Sequence, residues 1–100
     1  MRFIVDDVAG LDPQLVIVLR QRLTLGLARF AGRISRVALS CADAHTGLAP
    51  RRWVVRVISR GRAIVVVEHP DPIGDATAVA HLAERVVRTV ARTIDAKGAL

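Results

Sequence analysis

The residues with the most recognisable chemical potential lie along the last helical segment. His81, Arg85, Arg88 and Arg92 recur there at spacings of four, three and four. At ~100° per residue they fall within an arc of roughly 60°. Val79, Ala83, Val86, Val87, Val90 and Ile94 occupy the opposite side, so one face is apolar and the other cationic. A planar guanidinium grips a phosphate through two hydrogen bonds, so such a stripe suits a polyanion. A solvated face that keeps a domain in solution has the same pattern.

Six more arginines form a second basic set: Arg22, Arg29, Arg33, Arg36, Arg51 and Arg52. Arg22 and Arg29 lie seven apart on one flank of the first helix, and Arg33 and Arg36 follow at the helix-to-strand turn. Phosphate contacts need only cations at suitable spacing, so this set would extend a cationic surface across both helices. The alternative is a scatter of unconnected surface arginines.

Other reactive side chains point to little chemistry. Cys41, Asp43 and His45 alternate at the end of the second strand, a donor set for a metal or an activated nucleophile. The simpler reading, which we adopt, is a buried cysteine followed by a polar loop. His69 and Asp71 sit in a proline-rich turn without ligand spacing. Glycine-rich phosphate loops, serine nucleophile motifs and paired catalytic carboxylates are missing from the sequence. The expectation is a protein that is not an enzyme and needs no cofactor or metal. Tyrosine is absent, and Phe3, Phe30 and Trp53 occupy core-like positions, which argues against base stacking on aromatics. Recognition of RNA would go through backbone and shape.

Composition is consistent with this. One hundred residues make a single domain, 1–100, and 52% hydrophobic content excludes a disordered chain. Fifteen basic against nine acidic side chains leave a charge of +6, which favours an anionic partner. All but one of the basic residues are arginine. A lone cysteine fits a reducing compartment, and the N-terminal segment lacks the apolar run of a signal peptide. No stretch approaches the ~20 apolar residues of a membrane span. A cytoplasmic protein is expected.

These side chains need a scaffold, and the pattern predicts one. Phe3 to Val5 reads as a first strand. Asp12-Pro13 is a helix start, and the helix is expected to run to about Ala31 and end at Gly32. Leu15, Val16, Leu19, Leu23, Leu27 and Phe30 share its inner face. Ile34 to Ala42 alternates as a strand with Val37, Leu39 and Cys41 on one side. Asp43 to Pro50 reads as a loop. Arg52 to Ser59 and Arg62 to Glu68 flank Arg60-Gly61 as a two-residue hairpin. In that register Trp53, Val55 and Val57 share a face with Ile64 and Val66, while Val54, Arg56 and Ile58 join Val65 and Val67. Either face is apolar enough to be the core. The segment from His69 to Gly74 is expected to be a rigid turn outside the ladder. Asp75 then caps a last helix ending near Lys97-Gly98. The fold class is α+β, in the order βαβββα, with a four-stranded mixed sheet and both helices on one face.

With these elements in order, the chain resembles the ribosome hibernation promoting factor family, which includes the ribosome-associated inhibitor A and sigma-54 modulation proteins. The resemblance covers nearly all of residues 2 to 96. It is carried by Ala28-Arg-Phe-Ala-Gly-Arg-Ile-Ser-Arg-Val37 and by Ala78-Val-Ala-His-Leu-Ala-Glu-Arg-Val-Val-Arg-Thr-Val-Ala-Arg92. The resemblance implies a fold related to double-stranded-RNA-binding domains. It also implies occupation of the small ribosomal subunit where messenger and transfer RNA sit, silencing translation in stationary or stressed cells. By position, Arg33, Arg88 and Arg92 are the best matches to the family's basic residues, and Arg29 and Arg85 are weaker ones. The chain departs from the family in its single lysine and in an unusually apolar first helix, and the resemblance is to the short form, so the ribosome-pairing extension of the long members is not expected.

The expected function is therefore translation regulation by binding small-subunit ribosomal RNA through Arg22, Arg29, Arg33, Arg36, Arg85, Arg88 and Arg92. The alternative is a protein-interaction or oligomerisation module that uses the same fold without ribosomes. Ile17, Val18 and Leu25 lie off the core arc of the first helix and, with Val54 and Ile58 on a second sheet face, are candidate surfaces for a homodimer.

Overall fold

The order strand, helix, three strands, helix holds in the computed structural model, which describes residues 1–6, 11–42, 52–70 and 73–98. Its elements are β1 (Arg2–Val5), α1 (Pro13–Gly26), a 3-10 turn (Ala28–Phe30), β2 (Arg36–Ala42), β3 (Arg52–Ser59), β4 (Arg62–Pro70) and α2 (Ala76–Gly98). The sheet order is β1-β2-β3-β4. β1 pairs parallel with β2, and the other neighbours are antiparallel. This is the βαβββα layout of an α+β domain. Among the described residues no helix is long and apolar enough to cross a membrane.

Local chemistry sets both helix starts. The Asp12 carboxylate accepts a hydrogen bond from the Gln14 amide at 2.9 Å, with Pro13 at the first helical position. Asp75 does the same for the Ala78 amide at 2.9 Å. Each cap satisfies a backbone donor that has no partner within its helix and contributes ~1 kcal/mol. α1 ends earlier than the pattern suggests, at Gly26 rather than Ala31. A side chain at Gly26 would place its Cβ 2.5 Å from Cγ2 of Val87, so the glycine lets α2 come close. The chain then tightens into the 3-10 turn. Positions three apart eclipse there, which turns both Leu27 and Phe30 into the core. The second strand likewise starts at Arg36, and Ile34 is a buried residue of the link before it.

Arg60-Gly61 makes the expected hairpin turn, with φ of 53° and 77°. Both angles are positive, as in the type I′ turn whose twist matches the flanking strands. Glycine reaches this region freely, whereas for Arg60 it costs roughly 1–2 kcal/mol.

The register beyond the turn differs from the simple hairpin. Ser59 pairs with Arg62 and Ile58 with Ala63, but Val57 pairs with Val65. Ile64 is the extra residue of a β-bulge. One inserted residue moves every later side chain to the other face. Val65 and Val67 therefore join Trp53, Val55 and Val57 in the core, with Val37, Leu39 and Cys41 from β2, and Ile64 is half-buried against its edge. Val66 is left exposed. The ladder also continues past Glu68, pairing Trp53 with His69 and Arg52 with Pro70. Proline is tolerated because it closes an edge strand, where no further neighbour needs its missing N–H.

α1 and α2 pack side by side over this face, burying Leu19 and Leu23 from one and Val79, Leu82, Ala83, Val86, Val90 and Ile94 from the other. Leu82 is a core residue that the helical wheel of the sequence left out. The reverse face of the sheet has no helix, yet Val54 is only 1% exposed and Ile58 8%. Arg52 and Arg56 flank Val54 along β3, and Ser40 and Glu68 lie opposite it on the neighbouring strands. Arg56 Nη1 donates to Ser40 Oγ at 3.1 Å, and Arg52 Nη1 reaches Glu68 Oε2 at 3.2 Å. Both bonds run diagonally back to the row of Val54, so the aliphatic stems lie across it. The expectation that Val54 and Ile58 form an open interface is corrected: the arginines already cover Val54, and both residues are buried.

Candidate functional site

α2 positions its stripe by the same periodicity that buries its other side. His81, Arg85, Arg88 and Arg92 are all exposed, along about 16 Å of helix at 1.5 Å per residue. Arg88 also lines an open groove of about 650 Å³ between α1 and α2. Arg22 and Arg29 border the same groove from the first helix and the turn after it, and Leu25, Val87 and Ala83 contribute to its apolar lining. Thus three of the sequence-selected arginines, separated by up to 66 positions (88 minus 22), are brought together. Their convergence depends on the near contact at Gly26. Glu84 also lines the groove and lowers its positive charge locally.

Arg29 is further ordered by its neighbour. Its guanidinium carbon sits 4.4 Å from the centre of the Phe30 ring, a cation–π contact that leaves the group at the surface. Among the described residues the one ion pair is Arg52–Glu68, so the arginines of the stripe and groove carry no carboxylate partner. Unpaired guanidiniums retain their hydrogen-bonding capacity for an anion.

The remaining two selected arginines lie elsewhere. Arg36 alternates with the core residue Val37 and faces the side of the sheet without helices, away from the groove. Arg33 belongs to the turn preceding β2, and its carbonyl accepts from Ser59 Oγ at 2.6 Å. Arg36 therefore does not extend the helical patch as the sequence suggested. Arg51, Asp43, His45 and Asp71 lie outside the described residues. Cys41 is buried in the core beside Trp53, in keeping with a packing role.

Three basic residues were missed by sequence reasoning. The turn after the 3-10 segment gathers Arg2, Arg60 and Arg62 around Arg33 and Arg36. The Arg2 amide donates to the Ser35 carbonyl at 3.1 Å, and the Arg60 amide donates to Ser35 Oγ at 3.1 Å. Arg62 follows across the hairpin turn. Nothing local signals this grouping, because it arises from strand pairing between distant segments.

Of the candidate interface residues on α1, Val18 is half-buried and packs against the core, contrary to its expected exposure. Ile17 at 48% and Leu25 at 77% exposure remain open.

The fold and its surface define a small α+β domain with an apolar core and a cationic helical side. No protein-family model matches the chain, and no curated protein sequence matches it significantly.

Proposed function

We propose that the protein is a ribosome-associated translation regulator that binds small-subunit ribosomal RNA under stress or in stationary phase, in the manner of the hibernation factors it resembles. The observation that carries this reading is the convergence of Arg22, Arg29 and Arg88 on one groove, continued along α2 by Arg85 and Arg92. Guanidiniums without carboxylate partners form phosphate contacts, and each contact releases condensed counterions. Such binding occludes the site physically. It makes and breaks no covalent bond and calls for no cofactor.

Co-sedimentation on a sucrose gradient tests the proposal. The protein is expected to travel with the small subunit at low salt and to leave it as salt rises. A protein that stays at the top of the gradient at every salt concentration contradicts it. A second reading, a protein-interaction module, is favoured by Leu25, a large apolar side chain left in water beside Ile17. A complex that survives high salt and is lost on Leu25→Glu would mark that reading.

A further inference from the structure

We propose that the hairpin end of the sheet is a second phosphate-binding surface, formed by Arg2, Arg33, Arg36, Arg60 and Arg62, that grips a segment of RNA backbone distinct from the one on α2. The inference deepens the RNA-binding reading and rests on it for its partner.

Four hydrogen bonds build this end. Ser35 accepts from Arg2 at its carbonyl and from Arg60 at its hydroxyl, and its own amide donates to Ile58 at 2.8 Å. Ser59 Oγ closes the group on the Arg33 carbonyl at 2.6 Å. Three chain segments are thus tied at one point, and each brings arginine. No acidic residue occurs in 1–5, 33–42 or 52–67. Carboxylates collect at the other end of the sheet: Asp6 follows β1, Asp12 and Asp75 cap the helices, and Glu68 lies near the end of β4. Glu84, in the groove, and Asp95, late on α2, are the exceptions. The charge is therefore separated along the strands, which orients an approaching polyanion toward the hairpin end.

Arg60 supplies an independent observation. It holds φ of 53°, where asparagine or glycine is relaxed and arginine is strained. A turn that uses arginine in this position gives up stability, and backbone strain of this kind clusters at ligand-binding and active sites. Ser35 holds the Arg60 amide, so the backbone at the base of this side chain is anchored. Arg2 and Arg36 share the face without helices, since their neighbours Phe3 and Val37 pack toward the core. Arg2 and Arg36 and the α2 stripe consequently face different directions, while Arg60 lies at the turn and Arg62, opposite Ser59, lies on the helix side of the hairpin. One straight stretch of backbone does not reach both faces, and a folded RNA with two strands does.

The test compares Arg60→Asn, Arg60→Asn/Arg62→Gln and Arg88→Glu/Arg92→Glu for affinity against salt, using intact small subunits and protein-free small-subunit RNA. Arg60→Asn relaxes the turn and keeps the amide donated to Ser35, so its melting temperature is expected to rise by roughly 4–8 °C. The double hairpin variant is expected to lose about two units of salt slope, and roughly tenfold in affinity per contact at 0.1 M salt, on both probes. Unchanged affinity and slope overturn the inference, and if the α2 variant is weakened at the same time, the helical reading stands alone. A loss confined to the hairpin variant supports this surface and removes the α2 stripe from the proposed mechanism. A loss seen with intact subunits but not with protein-free RNA assigns the surface to an acidic protein and overturns the phosphate assignment. Failure of the native chain to bind either probe at low salt overturns both.

Discussion

The two helices cover the same sheet face but treat their outer surfaces differently. α2 puts its large apolar side chains inside and exposes His81, Arg85, Arg88 and Arg92. α1 buries Leu19 and Leu23 and leaves Ile17 and Leu25 exposed among Arg20, Gln21, Arg22 and Thr24. The outer face of α2 is suited to phosphate, while that of α1 mixes cations with uncovered apolar area. One helical layer thus carries two chemically different outer surfaces, with the groove at Gly26 as the border.

The sharpest way to break this comparison is to truncate one leucine on each helix. Leu82→Ala removes a fully buried side chain and should destabilise by about 2–5 kcal/mol, whereas Leu25→Ala should stay within about 0.5 kcal/mol. Urea denaturation measures both, and a large cost for Leu25→Ala would mean that the outer face of α1 is covered. Next in size is the border itself. Gly26→Val forces a side chain against Val87, and a loss of about 1–3 kcal/mol is expected from overpacking. Thermal melts check it, and an unchanged midpoint would show that the helices separate freely.

Smaller effects come from the caps. Asp12→Ala and Asp75→Ala should each cost ~1 kcal/mol, because one backbone donor per helix loses its acceptor. A marked inequality between them in denaturant titrations would show that one helix relies less on its cap. The smallest stability change is expected for Ile17→Glu/Leu25→Glu. If the open face of α1 supports a weak homodimer, analytical ultracentrifugation will show it in the native chain and not in this variant. A monomer in both removes α1 as a self-association surface. Val54→Glu should instead unfold the protein, since Val54 lies beneath Arg52 and Arg56.

α2 was legible in the sequence because its periodicity is long and regular, and its cap and stripe needed no tertiary information. The strand order was equally legible, as was the Arg60-Gly61 turn. The errors share one physical cause, contacts that no local pattern encodes. Ile64 forms a bulge, so the alternation of β4 was assigned to the wrong face. Gly26 ends α1 where α2 presses against it, and the eclipsed 3-10 turn buries Leu27 and Phe30 as a continued helix also would. Val54 looked available because alternation cannot foresee two arginine stems lying across it. Among the candidate site residues, Arg22, Arg29 and Arg88 meet only through helix packing, and Arg2, Arg60 and Arg62 join Arg33 and Arg36 only through strand pairing.

The central claim is that guanidiniums on α2 contact RNA phosphates, and the salt dependence of binding to small subunits tests it most directly. Arg88→Glu/Arg92→Glu should weaken binding and flatten the slope of log affinity against log salt by about two units, while Ile17→Glu/Leu25→Glu leaves the slope unchanged. Equal slopes and affinities for the native chain and Arg88→Glu/Arg92→Glu would contradict the account.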